Sequence, residues 1–206
     1  MHTRCIVLCV LLVLSVSVFS AAETGLKVGF LYIGDYDFDS ADGEALRDDA
    51  DGTIFAIEQY HCLVPYLYLN YELAYSKNDE AVTFNDEVDA VMESTIIPLS
   101  VNLVLMLGPE FLKVYGGAGI GAYYIKNRLA IDTPGIDFSG SEYELYWGYQ
   151  LKAGVKWYVS ENFALYGEYQ YRRFGDETEF TLDSETYKHD GDTILGQLSV
   201  GMAFSF

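Results

Sequence analysis

Hydrophobic and polar positions alternate over long stretches of this chain. In "YELYWGYQLKAGVKWY", Tyr143, Leu145, Trp147, Tyr149, Leu151, Ala153, Val155 and Trp157 fall on one side, and Glu144, Tyr146, Gln150, Lys152 and Lys156 on the other. A period of two is that of a β-strand, whose side chains point alternately to its two faces. The split recurs in "FALYGEYQYR", where Phe163, Leu165, Tyr169 and Tyr171 oppose Tyr166, Glu168, Gln170 and Arg172. It recurs again where Leu67, Leu69, Tyr71, Leu73 and Tyr75 oppose Tyr68, Asn70, Glu72 and Ala74.

The pattern predicts eight strands, near 25–36, 53–61, 66–77, 95–107, 112–126, 142–158, 163–174 and 193–206. Most exceed the five or six residues usual in soluble proteins and match the nine to eleven that a tilted strand needs to cross a bilayer. The apolar face carries bulky Tyr, Trp, Phe and Leu; the other mixes small and charged residues. A soluble barrel would turn the bulky face toward a cavity. Small residues and opposite charges instead suit a narrow, crowded interior, with the bulky face against lipid. The expected fold is all-β, an eight-stranded antiparallel up-and-down transmembrane β-barrel.

The joins between these strands alternate. Those at 37–52, 78–94, 127–141 and 175–192 are long, and those at 62–65, 108–111 and 159–162 are short. Outer-membrane barrels share that asymmetry, with tight periplasmic turns and long external loops. Charge follows the same division, because the segments around the long joins hold 24 of the 31 carboxylates. Such acidic loops suit loose binding of divalent cations, whose preferred ligands are oxygens. In "DYDFDSADGEAL", Asp35, Asp37 and Asp39 have EF-hand spacing, but Ser40 stands where Gly is required and Leu46 where the bidentate Glu belongs, so no dedicated calcium loop is expected.

Residues 1–22 read as a secretory signal peptide, with Arg4 in a short charged start, an apolar run from Ile6 to Phe19, and small residues at Ser20 and Ala22. The expected mature domain is 23–206, exported to the cell outer membrane. It retains one of the three cysteines, Cys62, so no internal disulfide is available. It holds 11 basic against 31 acidic residues. That balance excludes nucleic acid as a partner, for lack of a basic stripe to neutralise phosphates.

The last strand, "DTILGQLSVGMAFSF", alternates Leu198, Val200, Met202, Phe204 and Phe206 outward with Gln197, Ser199, Gly201, Ala203 and Ser205 inward. Its final octet resembles the C-terminal signal of bacterial outer-membrane barrels, carried here by Ser199, Gly201, Phe204 and Phe206. The resemblance implies recognition by the barrel-assembly machinery. "STIIPLSVNLVLML" followed by "KVYGGAGIGAYY" resembles a strand pair of small outer-membrane barrels of the OmpW-like and OmpA-like kind, and "YVSENFALYGEYQYR" resembles their penultimate hairpin. The family implies an eight-stranded barrel among outer-membrane lipid and lipopolysaccharide, and fixes no activity: its members include structural, adhesive, small-hydrophobe-permeating and lipid-modifying barrels.

The expected interior supplies the candidate chemistry. Lys27, Glu58, Glu72, Glu144, Lys152, Lys156, Glu168 and Arg172 project inward on this register. Eight strands leave room for little more than side chains, so these charges are expected to pair as a lumen network. No catalytic, cofactor or metal residues are assigned: the mature chain has only His61 and His189, neither in a constellation with Ser and an acid. The expected role is structural or surface interaction. The alternative is an OmpW-like channel for small hydrophobic molecules, and the third a lipid-modifying enzyme.

Overall fold

The computed structural model describes residues 23–33, 37–39, 44–47, 50–84, 88–131, 139–182 and 185–205. Eight long strands close a barrel: β1 (Glu23–Ile33), β4 (Ala50–Val64), β5 (Leu67–Phe84), β6 (Val88–Leu107), β7 (Leu112–Ile131), β8 (Ser139–Ser160), β9 (Phe163–Leu182) and β10 (Glu185–Ser205). Each pairs antiparallel with its neighbours. The first meets the last over eleven positions, from Glu23 opposite Ser205 to Ile33 opposite Leu195, so no long strand is left with an open edge.

Two short strands, β2 (Asp37–Asp39) and β3 (Glu44–Arg47), form a hairpin within the expected first loop. It pairs with β10 on one side and β5 on the other, spanning the gap above the shorter β1 and β4. The other long joins differ from expectation in the same sense. Strand pairing runs through most of 78–94, 127–141 and 175–192, as in Asp79 opposite Glu93 and Glu179 opposite Lys188. β-prone residues such as Val82, Thr83, Val88, Val91, Phe180 and Thr181 are interleaved with the acids there, and the backbone ladder is indifferent to the charge beside it. β8 alone, 22 residues long, extends about 70 Å at about 3.3 Å per residue. Even tilted by about 40°, it outreaches the apolar band of about 25 Å, so the barrel wall continues beyond the membrane.

At the opposite end the turns are tight. Pro65 and Tyr66 join β4 to β5, with Tyr66 in the left-handed region at φ 72° and its carbonyl accepting from the Met106 amide at 2.8 Å. Proline supplies a fixed first position, and a bulge between Cys62 and Val64 absorbs the odd residue. This turn holds the register of β4 and with it the inward direction of Glu58. Asn162 ties the β8–β9 turn to the last strand: its side-chain amide donates to the Ser205 carbonyl at 3.0 Å, and its own carbonyl accepts from the Ser205 amide at 3.1 Å.

Burial follows the alternation. Gln150, Lys152 and Lys156 of β8 are buried, whereas Leu151, Val155 and Trp157 between and beside them are exposed. The apolar side chains form an outer belt and the polar ones fill the centre.

Candidate functional site

The interior is built in levels, because each strand contributes every second residue to it. Nearest the tight turns lie Tyr60, Val104, Met106 and Tyr115, flanked by Ala164, Tyr166 and Ala203. Lys156 sits among the tyrosine rings, 4.2 Å from the centroid of Tyr60 and 5.2 Å from that of Tyr166, and pairs with Glu23. The second oxygen of Glu23 accepts from the Tyr158 hydroxyl at 2.9 Å.

Above this lies the main ion network. Lys27 Nζ stands 3.3 Å from Glu58, 2.9 Å from Glu72 and 2.5 Å from Glu168. Lys152 Nζ meets the same three carboxylates at 3.2, 3.1 and 3.1 Å. Arg172 adds a bond to Glu72 at 2.7 Å. Tyr60 donates to Glu58 at 3.1 Å, Tyr115 to Glu168 at 3.0 Å and Gln170 to Glu72 at 2.6 Å. All six ionic side chains are fully buried. Three carboxylates face three cations, and counting Glu23 and Lys156 the buried charges among the described residues are four against four. Removing such charges from water costs several kcal/mol per ion, and only dense pairing offsets it.

Amides cap the network. Arg172 donates to Gln150 at 3.2 Å, to Gln197 at 2.5 Å and to Gln170. Gln150 donates onward to Ser100 at 2.8 Å and Asn102 at 2.5 Å, and Asn102 to Asn70 at 2.9 Å. Gly119 leaves the space that Asn102 occupies: a Cβ there would collide with its side-chain oxygen. The character of the lumen then changes. Leu31, Ile54, Ala56, Ala74, Ile96, Tyr123, Ile125, Phe174 and Leu195 form a buried apolar level, with Tyr123 stacked on Phe174 at 4.6 Å and Tyr146 packed against it.

Of the eight predicted lumen charges, Lys27, Glu58, Glu72, Lys152, Glu168 and Arg172 meet in this network, and Lys156 lies just below it. Glu144 does not join them. It also faces inward, but six residues up β8 from Gln150 and opposite Ile125, where Tyr146 donates a hydrogen bond to it. Alternation already places Gln150, Gln170, Gln197, Asn70 and Tyr166 on the inward face with the charges; Glu23, Tyr60 and Tyr115 are the partners it does not single out. Counting back by two from Lys27 finds Glu23 on the same face; its omission came from starting the strand at residue 25.

The C-terminal residues also find places. Ser199 is buried and donates to the Glu168 carbonyl at 3.3 Å. Gly201 lies under the Tyr166 ring, which a Cβ would strike. Phe204 faces outward with its ring 5.3 Å from that of Phe163, and Phe206 lies outside the described residues.

The three network carboxylates are close enough to bracket a metal ion, yet Lys27 and Lys152 already neutralise them, so this donor set serves the ion pairs. The side chains of the Asp35–Leu46 segment, and residues 1–22, lie outside the described set. His61 packs edge-on against Tyr71 at 5.6 Å, on the outward face.

The family model of the outer membrane protein beta-barrel domain matches residues 6–206. The chain belongs to that family. Solved outer-membrane proteins share its fold. OprG of Pseudomonas aeruginosa is 14% identical with a TM-score of 0.67, over 91% of this chain and 98% of that one. AlkL, determined in DMPC bilayers, is 14% identical with a TM-score of 0.58 over 91% of both chains. The outer membrane protease OmpT of Escherichia coli is 10% identical with a TM-score of 0.56, over 89% of this chain and 96% of that one. At these identities the likeness is one of fold. No curated protein sequence matches the chain.

Proposed function

We propose that this outer-membrane barrel is closed to ions and acts at its surface, as a structural element or an interaction platform on the outside of the cell. One observation carries the reading: the neutral six-residue network that crosses the lumen from Lys27 on β1 through Glu58, Glu72 and Lys152 to Glu168 and Arg172 on β9. A hydrated ion entering from either end would have to displace several charge-assisted bonds at once. In planar bilayers the folded protein should show no stepwise conductance. Steady ohmic steps from the unaltered chain would overturn the reading.

A second reading, a conduit for small hydrophobic molecules, is favoured by the inward apolar level around Tyr123, Phe174 and Leu195. An apolar guest arriving from outside would find matching walls there and a charged floor beneath, so it would have to leave sideways between strands. Faster transfer of an apolar fluorophore into vesicles containing the barrel, slowed by widening Leu195 to Trp, would support this reading. Equal transfer with and without the barrel would remove it.

A further inference from the structure

One position inside the belt breaks the rule that the outward face is apolar. Gln59 of β4 lies between Glu58 and Tyr60, whose side chains meet in the lumen, so it points to the lipid side. Its ladder partners are Thr24 of β1 and Tyr71 of β5, which alternate outward beside buried Glu23 and Glu72. Continuing the row, Phe204 lies beyond Thr24 and Val101 beyond Tyr71, both exposed. Counting back from Pro65 at about 3.3 Å per residue, with a tilt of about 40°, puts Gln59 about 15 Å above the tight turns, within the apolar band of about 25 Å.

The amide has nothing to bond. Gln59 is 2% exposed, folded back among its neighbours, and among the described residues neither its Nε2 nor its Oε1 has a hydrogen-bond partner. Nε2 of His61, two residues nearer the turn on the same face, has none either. Higher on the outward face, by contrast, Lys77 has Glu93 3.7 Å away, both well exposed. At the depth of Gln59 hydrocarbon supplies no water to satisfy a polar group, and acyl chains offer neither donor nor acceptor.

An amide carries a donor and an acceptor side by side, so it is complementary to its own copy. A two-fold axis along the membrane normal beside β4 brings Gln59 of a second chain opposite the first at the same height. Each Oε1 then accepts from the other chain's Nε2, and all four orphaned groups are satisfied together. Turning the side chain outward breaks no hydrogen bond, because it makes none. In lipid, apolar contact alone gives little drive to associate, and hydrogen bonds across the contact supply the specificity.

We propose that the face formed by β1, β4 and β5 is a homodimer contact within the membrane, centred on a reciprocal pair of Gln59 amides. The proposal rests on the membrane placement of the barrel and not on its sealed lumen, so its failure leaves the conductance test untouched.

The test is sedimentation equilibrium of the folded full chain in a density-matched detergent at several protein-to-detergent ratios. The unaltered protein should populate monomer and dimer. Gln59→Leu should weaken the dimer about tenfold, at about threefold per lost bond, while leaving resistance to urea equal or higher, because it removes an unsatisfied polar group. Leu151→Ala, on exposed β8 of the opposite wall, should leave the equilibrium unchanged. In vesicles treated with copper phenanthroline, Gln59→Cys in a Cys62→Ser background should cross-link two chains, and Leu151→Cys in the same background should not. Heat-dependent gel mobility verifies that each variant is folded. A chain monomeric at every ratio, which would leave the amide to a different protein or a trapped water, an undiminished dimer in Gln59→Leu, or equal cross-linking from position 151 would overturn the contact.

Discussion

Two levels of the same lumen are equally buried and are held by different forces. Around Glu72 every contact is directional, since this one carboxylate takes bonds from Lys27, Lys152, Gln170 and Arg172. Around Phe174, two residues further up β9 from Arg172, contact is by shape alone, through Tyr123, Ile125, Leu195 and the ring of Tyr146. Removing one ionic partner from the lower level leaves a buried charge uncompensated, whereas the upper level tolerates small changes of volume.

The contrast can be broken most forcibly below. Glu72→Ala leaves Lys27, Lys152 and Arg172 facing two carboxylates and should destabilise the barrel by about 3–5 kcal/mol, read from urea unfolding in detergent or vesicles. A smaller loss is expected for the double variant Lys156→Met with Glu23→Gln, which removes both members of an ion pair. Its cost should fall below the sum of the two single variants. In the apolar level, Ile54→Val should cost about 0.5–1.5 kcal/mol. Smallest of all, Lys77→Ala releases an exposed pair and should alter stability by no more than about 0.5 kcal/mol. If Glu72→Ala cost no more than Ile54→Val, the distinction between the levels would collapse.

Much of this architecture was legible in the sequence, because a two-residue period with bulky outward positions has few other physical meanings. The strands, the three tight turns and the inward direction of the charges all follow from that period. What escaped it was height. Parity places Glu144 and Lys152 on the same face of β8, but which of them meets Glu72 depends on the stagger between strands, and alternation within a strand carries no information about stagger. The extensions of β5, β6, β9 and β10 escaped for a different reason: carboxylates that look like loop chemistry there decorate continued ladders. The hairpin of β2 and β3 has three- and four-residue strands, too short to show a period. Glu23 and the tyrosine hydroxyls show how a polar interior recruits residues that composition alone would assign to a terminus or an aromatic girdle.

The ion network also bears on how the chain reaches its finished form. In an unrolled sheet β1 and β9 lie near opposite margins, and Lys27 can touch Glu168 only once β1 has met β10. Until then, a half-zipped intermediate keeps Glu168 without one of its two lysines, in a space that offers little water to replace it. Joining the seam and neutralising the centre thus become one event, and a partly rolled sheet is electrostatically distinguishable from a completed one.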